Sequence, residues 1–228
     1  MRRAYIAVQQ NSLAGKGRAL VPDLRKEPMK LKTLFAAAAA AAALYASSAN
    51  AMTYSYRMAG QKIVVDAVGE IMPNETELMA QWMKTLPVAI QHTPIAAFVF
   101  NSPGGNIMEA KRLAVAIRNA DEHPNTGVAA GGECASACVL LWAAGAHKSV
   151  APDAIIGAHR TSLPAELVQA DPNRTRRVAN DVNVMLANDL ASVGAPATVV
   201  AAAVTTPATS IYVLTPADYA AWNVYVTY

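Results

Sequence analysis

The chain has 228 residues, of which 54% are hydrophobic and 15% are charged. This composition is typical of a globular protein with a buried core and excludes a disordered chain. The formal net charge is +3, but eight of the 19 basic residues precede residue 33, and from Met52 onward 11 basic residues stand against 14 acidic ones. The larger part of the chain therefore has no basic surplus, and we expect no nucleic-acid partner.

The N-terminal region has the three parts of a secretory signal peptide. Lys30 and Lys32 give a positively charged start at residues 29–32, and residues 33–45 are apolar and rich in alanine. Ala49 and Ala51 place small side chains where a signal peptidase cleaves. The apolar run is shorter than the roughly 20 residues of a membrane-spanning helix. We therefore expect an exported protein, periplasmic or secreted, with no membrane span once the signal is removed. An uncleaved anchor is the alternative.

These features divide the chain into three parts. We expect residues 1–28 to be an extension upstream of the true start at Met29, because a signal peptide has no place for them. Residues 29–51 are the expected signal peptide, and residues 52–228 are the expected folded domain.

Strand-like and helix-like patterns alternate along the rest of the chain. Apolar or β-rich runs predict strands at residues 62–71, 95–100, 126–130, 148–151, 154–158, 210–214 and 224–228. Helical spacing of apolar residues predicts helices at residues 74–86, 107–117, 136–146, 174–193 and 195–205, and a further helix beginning at residue 215. Asn74 followed by Glu77 is a typical helix start. This alternation predicts a mostly parallel sheet with helices on its faces.

Three places supply the groups that a serine hydrolase needs. Ser136 follows a glycine turn and begins an apolar helix, where unpaired N–H groups can hold an oxyanion. Gly104 and Gly105 follow a predicted strand, and without side chains they allow close approach to a further N–H group. His159 closes another predicted strand and could act as the base if that strand lies beside the one before Ser136.

The same places carry a resemblance to a known family. The run FVFNSPGG occupies residues 98–105, CASA occupies residues 134–137 and is followed by an apolar helix at 140–145, and PDA at residues 152–154 leads to His159. Together they resemble the proteolytic subunit of Clp protease. Exported bacterial relatives of that subunit, in which cysteines flank the serine, are more similar still.

The resemblance spans about residues 61–222 and implies both the fold and the activity. The implied fold is the α/β fold of the Clp/crotonase superfamily, a spiral of β-β-α units in a single domain. Ser136 is then the nucleophile and His159 the general base, and the backbone N–H groups of Gly105 and Ala137 form the oxyanion hole. The implied reaction is acyl transfer from a peptide or protein substrate.

The implied partners follow from the same resemblance and from export. The helix at residues 174–193 is expected to protrude and to mediate self-association into a homo-oligomer. We expect no ATPase partner, because exported compartments lack ATP. No cofactor and no metal ion is indicated.

The third member of the triad departs from the family pattern. Aligning Leu214, Thr215 and Pro216 with the family places Thr206 where an aspartate is expected. The sequence leaves open which group orients His159. The alternatives are the hydroxyls of Thr205, Thr209 and Ser210 and the carboxylates of Asp181 and Asp189.

Cys134 and Cys138 lie four residues apart around Ser136. In an oxidising compartment they could form a disulfide, since this spacing keeps their Cα atoms within the bridgeable range. Two buried free thiols, or a thiol nucleophile in place of Ser136, are the alternatives.

Two other functions compete with a hydrolase. The missing acid favours a catalytically degenerate binding or assembly module with the same fold. An acyl-CoA enzyme of the crotonase type would share the oxyanion hole, but it explains neither the serine and histidine pair nor the export signal.

Overall fold

The computed structural model describes residues 51–163 and 169–227. The predicted extension at residues 1–28 lies outside the described residues, and so does the predicted signal peptide except for Ala51. Both therefore stay predictions. Within the described residues, no helix is both long and apolar enough to cross a membrane.

The described part of the chain is a mixed α/β structure, as the alternating patterns predict. Its strands are β1 Thr53–Ala59, β2 Lys62–Val68, β3 Ile95–Asn101, β4 Asn125–Val128, β5 Glu133–Ala135, β6 Lys148–Val150, β7 Ile155–Ala158, β8 Tyr212–Val213 and β9 Tyr225–Val226. Its helices are α1 Glu75–Thr85, α2 Val88–Gln91, α3 Ile107–Arg118, α4 Cys138–Ala143, α5 Pro172–Ser192, α6 Ala197–Thr205 and α7 Pro216–Ala221.

The strands form two sheets. A six-stranded sheet has the order β1-β2-β3-β4-β6-β9, and a three-stranded sheet has the order β5-β7-β8. Only the pairs β1–β2 and β7–β8 are antiparallel among the strands described. The prediction of a mostly parallel arrangement is confirmed. A single bridge between Ser102 and Cys134 connects the two sheets near the candidate nucleophile.

Two strands were not predicted from the sequence. In β1, half-exposed and exposed residues alternate, so no apolar run marks it. β5 falls where the sequence indicates only a glycine turn before a helix, and it forms because it pairs with β7. The predicted helix at residues 136–146 is also shorter than expected, since α4 begins only at Cys138.

The start of α1 is where the sequence predicts it, but its capping is different. Asn74 has a left-handed backbone conformation, and its side chain makes no capping hydrogen bond. The buried Glu75 carboxylate instead accepts hydrogen bonds from the Met72 N–H group at 2.9 Å and from the Tyr54 hydroxyl at 2.7 Å. Burial, together with the hydrogen bond to Glu75, raises the pKa of Tyr54 well above its ordinary value.

Helix α4 lies at the centre of the core. All six of its residues are buried, which agrees with a sequence that is apolar on nearly every side. Trp142 is fully buried and meets Trp222 edge to face, with ring centroids 5.3 Å apart. The start of α4 is therefore a rigid place from which to present Ser136.

Asp218 ties together the elements that flank the second sheet. Thr215 caps α7, and its N–H and hydroxyl groups both donate to the Asp218 carboxylate. The hydroxyls of Thr198, in α6, and Tyr212, in β8, donate to the same buried carboxylate at 2.6 and 2.8 Å. Burial alone would raise the pKa of Asp218, but these hydrogen bonds outweigh it and lower the pKa to about 2.

The variant Asp218→Asn should be less stable than the wild type by about 2 kcal/mol at pH 7, the value expected for a pKa lowered by nearly two units. Because the folded-state pKa is lowered, this stabilisation is complete above the unfolded pKa of about 4 and disappears as the pH falls towards 2. Urea unfolding of both proteins between pH 7 and pH 2 measures the difference. The exposed Asp153→Asn serves as the control, and a difference that stays constant down to pH 2 would contradict the assignment.

Candidate active site

Ser136 occupies a strained turn between β5 and α4. Its φ angle is 56°, in the left-handed region that non-glycine residues rarely adopt. The turn is held because the Ser136 N–H group donates to the carbonyl oxygen of Gly157, in β7, at 2.8 Å. Such a conformation costs about 1–2 kcal/mol and is concentrated at functional positions. The role of Ser136 as a nucleophile stays a prediction.

Gly104 and Gly105 pass close to this turn, and their positions require glycine. Their φ angles are 101° and 133°. A Cβ atom on Gly104 would lie 2.7 Å from the Ser136 Cβ atom, and one on Gly105 would lie 2.3 Å from the Ile71 carbonyl oxygen. The Ser102 hydroxyl accepts a hydrogen bond from the Gly104 N–H group at 3.1 Å. Ser102 therefore shapes this turn.

Two backbone N–H groups lie beside Ser136. In the part of the chain that the structure describes, the Gly105 and Ala137 N–H groups donate to no protein atom, whereas the Asn106 N–H group donates to the Ile71 carbonyl at 2.8 Å. Gly105 and Ala137 line the same cleft as Ser136. These are the two donors predicted for an oxyanion hole, and the structure leaves both of them available.

The pairing of β5 with β7 brings His159 to the serine. The two strands are parallel, with Ala135 opposite Gly157, so Ser136 lies beside Ala158 and His159 follows directly. Ser136 and the half-buried His159 line one cleft of about 430 Å³. Within the described chain no hydrogen bond joins their side chains. Catalytic hydrogen bonds often form only when substrate is bound.

The orientation of the His159 ring is set by a main-chain group. Its Nδ1 atom lies 2.8 Å from the carbonyl oxygen of Arg160. A carbonyl oxygen only accepts, so Nδ1 must carry a proton and donate it. In the neutral ring the lone pair is then on Nε2, the nitrogen that a general base of this kind uses. Sequence reasoning missed Arg160, because its side chain takes no part.

Thr206, predicted as an orienting residue, acts in the structure through its main chain. Its carbonyl oxygen accepts a hydrogen bond from the Arg160 N–H group at 2.9 Å. Its hydroxyl donates to no group in residues 51–163 or 169–227.

The other candidates for orienting His159 are engaged elsewhere or exposed. Asp189 pairs with Lys111 at 3.0 Å, and the Thr205 hydroxyl donates to the Ala201 carbonyl. Asp181, Thr209 and Ser210 are exposed and make no side-chain hydrogen bond within the described residues. No acid among the described residues is bonded to His159.

A second side chain fixes the loop that follows His159. The Asn183 Oδ1 atom, on α5, accepts a hydrogen bond from the Thr161 N–H group at 2.9 Å. No local pattern in the sequence indicates this contact, because it joins residues 22 positions apart.

The walls of the cleft are mainly apolar. They come from the start of α3, from the loop after His159 and from one face of α5, and their apolar residues are Ile107, Met108, Leu163, Val178, Val182 and Leu186. His159 is the only titratable side chain among the described lining residues. The part of the chain that the structure describes also contains no cluster of three or more side chains suited to a metal ion.

A disulfide spans the candidate nucleophile. It joins Cys134, in β5, to Cys138, the first residue of α4, with their Cα atoms 5.2 Å apart. Both residues are fully buried. In this structure neither cysteine is a free thiol, which excludes the reading that one of them replaces Ser136 as the nucleophile.

Comparison with known proteins gives distant structural likeness alone. No protein-family model matches the chain, and no curated protein matches it. Among solved structures, a point mutant of ClpP1 from Listeria monocytogenes has a TM-score of 0.48 and 16% sequence identity, covering 72% of this chain and 91% of its own. A likeness at this distance does not assign the family.

Replacing either close-packed glycine should damage the fold at the site. We expect Gly104→Ala and Gly105→Ala each to lower the free energy of unfolding by about 3 kcal/mol or more, because a strained backbone and a collision add together. Gly131→Ala is the matched control, since its φ angle is 67° but nothing lies within 4 Å of the added Cβ atom. It should lose only about 1 kcal/mol. Equal losses in urea unfolding for all three variants would contradict the close approach.

Removing the disulfide should weaken the turn around Ser136. The double variant Cys134→Ala/Cys138→Ala frees a loop of only a few residues, so loop entropy predicts a loss of about 2 kcal/mol in the free energy of unfolding. Two small cavities in the core add to this loss. Urea unfolding of oxidised wild type and of the double variant measures it, and a variant as stable as the wild type would show that the bridge contributes nothing.

Proposed function

We propose that this chain is an exported serine peptidase-like hydrolase, a relative of the proteolytic subunit of Clp protease within the Clp/crotonase superfamily and its β-β-α spiral fold. One observation carries the proposal. Ser136, His159, Gly105 and Ala137 line one cleft, and the N–H groups of Gly105 and Ala137 donate to no group among the described residues. These groups match the requirements of acyl transfer, and they lie in the motifs that resemble the family.

The chemistry follows from the placement of these groups. His159 Nε2 takes the proton of the Ser136 hydroxyl as the oxygen attacks the carbonyl carbon of a peptide bond. The N–H groups of Gly105 and Ala137 hold the negative charge that develops on the carbonyl oxygen. His159 then gives its proton to the leaving amine, which departs and leaves an acyl ester on Ser136. Water, deprotonated by His159, hydrolyses the ester and restores the hydroxyl.

The Arg160 carbonyl takes over part of the work of a triad acid. It fixes the proton on Nδ1 of His159, and it thereby leaves the lone pair of the neutral ring on Nε2. It carries only a partial charge, so it stabilises the imidazolium ion less than a carboxylate would. We therefore expect slow turnover rather than the rate of a complete triad.

Export to the periplasm or to the medium is part of the proposal. The buried disulfide supports it, because such bridges are rare in reducing compartments. The substrate is then an exported peptide or protein, and no ATPase partner is required. The apolar cleft offers room for such a chain beside Ser136.

Self-association through α5 is also proposed. This helix of 21 residues buries Leu186 and Leu190 against the core but leaves Val184, outside the cleft, 60% exposed. Burying this side chain against another chain would remove its apolar surface from water. A second copy of this chain fits the homo-oligomer that the family resemblance implies.

A second candidate function is a non-catalytic binding or assembly module with the same fold. Its support is specific, because no acid in the described chain is bonded to His159, and no hydrogen bond joins that ring to Ser136.

A fluorophosphonate probe tests the hydrolase. We expect the secreted protein to be labelled on Ser136, and Ser136→Ala to abolish the labelling. His159→Gln should slow labelling by about 100-fold or more, the range of a lost general base, whereas the exposed His92→Gln should have no effect. A wild type that is folded by circular dichroism but not labelled would favour the binding module instead.

A further inference from the structure

The peptide group between Arg160 and Thr161 is hydrogen-bonded at both ends. Its carbonyl oxygen accepts from His159 Nδ1 at 2.8 Å, and its N–H group, which belongs to Thr161, donates to Asn183 Oδ1 at 2.9 Å. The two contacts lie on opposite sides of one planar amide. A continuous chain of hydrogen bonds therefore runs from the His159 ring through the main chain to the Asn183 side chain.

This arrangement couples Asn183 to His159 in two ways. Geometrically, the hydrogen bond to Asn183 fixes the N–H end of the amide. Because the amide is planar, its carbonyl oxygen is then fixed as well. Electronically, hydrogen bonds in a chain polarise one another, so the bond to Asn183 increases the partial negative charge on the Arg160 oxygen. Both effects strengthen the bond that keeps the proton on Nδ1.

The neighbouring peptide group is held from another direction. The Arg160 N–H group donates to the Thr206 carbonyl at 2.9 Å, at the end of α6. Thr206 therefore fixes the peptide group that precedes the Arg160 carbonyl in the chain, and Asn183 fixes the peptide group that contains this carbonyl. Of these two anchors, only Asn183 acts through a side chain, so only it can be tested directly by substitution.

We infer that Asn183 is a positioning residue for His159, acting through the peptide group between Arg160 and Thr161 in the place where a triad would use an acid. The inference rests on the proposed function in one respect: positioning His159 affects catalysis only if the protein is a hydrolase. The orientation of the ring can be measured without it, because a hydrogen bond selects the tautomer whether or not Ser136 reacts.

Substitution at residue 183 separates positioning from packing. Asn183→Leu keeps the size of the side chain but loses the acceptor, whereas Asn183→Asp keeps an acceptor and adds charge. Asn188→Leu, at an exposed position of the same helix, is the control. We expect Asn183→Leu to lower the first-order rate of fluorophosphonate labelling about tenfold, the effect of one lost hydrogen bond. Probe affinity should not change, and Asn183→Asp should label at the wild-type rate or faster.

Nitrogen-15 NMR of labelled histidine provides the independent measurement. His159→Gln assigns the resonances of His159 among the four histidines. In the neutral wild-type ring we expect Nδ1 to be protonated, and in Asn183→Leu we expect a mixture of tautomers. A leucine variant that keeps the wild-type tautomer and labelling rate would overturn the inference while leaving the proposed function intact.

The two proposals fail in different ways. An unlabelled wild type would end the hydrolase, but the tautomer in the wild type and in Asn183→Leu would still decide whether Asn183 positions the ring. A fall in labelling that Asn183→Asp does not restore, with an unchanged tautomer, would reduce Asn183 to a packing residue and also overturn the inference.

Discussion

The parallel pairing of β5 with β7 is the constraint on which the site depends. It sets Ala135 opposite Gly157, and it directs the Ser136 N–H group to the Gly157 carbonyl. His159 then begins the loop beside the serine. Side chains alternate between the faces of a strand, so a slip of one residue would turn the histidine away from Ser136. These two short strands therefore position both Ser136 and His159, on which the candidate mechanism depends.

The strained turn at Ser136 is maintained by structural constraints on every side of it. β5 is paired before it, the buried α4 follows it, the disulfide closes the segment, and the backbone of Gly104 lies against its Cβ atom. A strained conformation survives where packing on every side determines it. The same rigidity fixes the N–H group of Ala137, which lines the cleft and donates to no group among the described residues. A donor fixed in advance is the preorganisation that oxyanion stabilisation requires.

The sequence predicted the parts of the site that lie in local motifs. Ser136 and Gly105 lie in short sequence patterns that combine a turn with the end of a strand or helix. Such patterns can be recognised in the sequence alone. Arg160 and Asn183 could not be predicted, because a carbonyl oxygen has no sequence signature and the contact with Asn183 depends on how α5 packs. β5 was missed for a similar reason, since three residues become a strand only beside their partner.

The acid of a catalytic triad has two tasks: it selects the tautomer of the histidine and it stabilises the imidazolium ion. In the described chain no acid is bonded to His159, so the two tasks can be considered one at a time. Selecting the tautomer needs only an acceptor in the right place, and the Arg160 carbonyl provides one at 2.8 Å. Stabilising the imidazolium ion needs negative charge, and a carbonyl supplies only the negative end of a dipole. The bond between His159 and this carbonyl is exposed to solvent, so water screens the dipole. The carbonyl can therefore perform the first task, selecting the tautomer, but it performs the second, stabilising the imidazolium ion, less well than a carboxylate would.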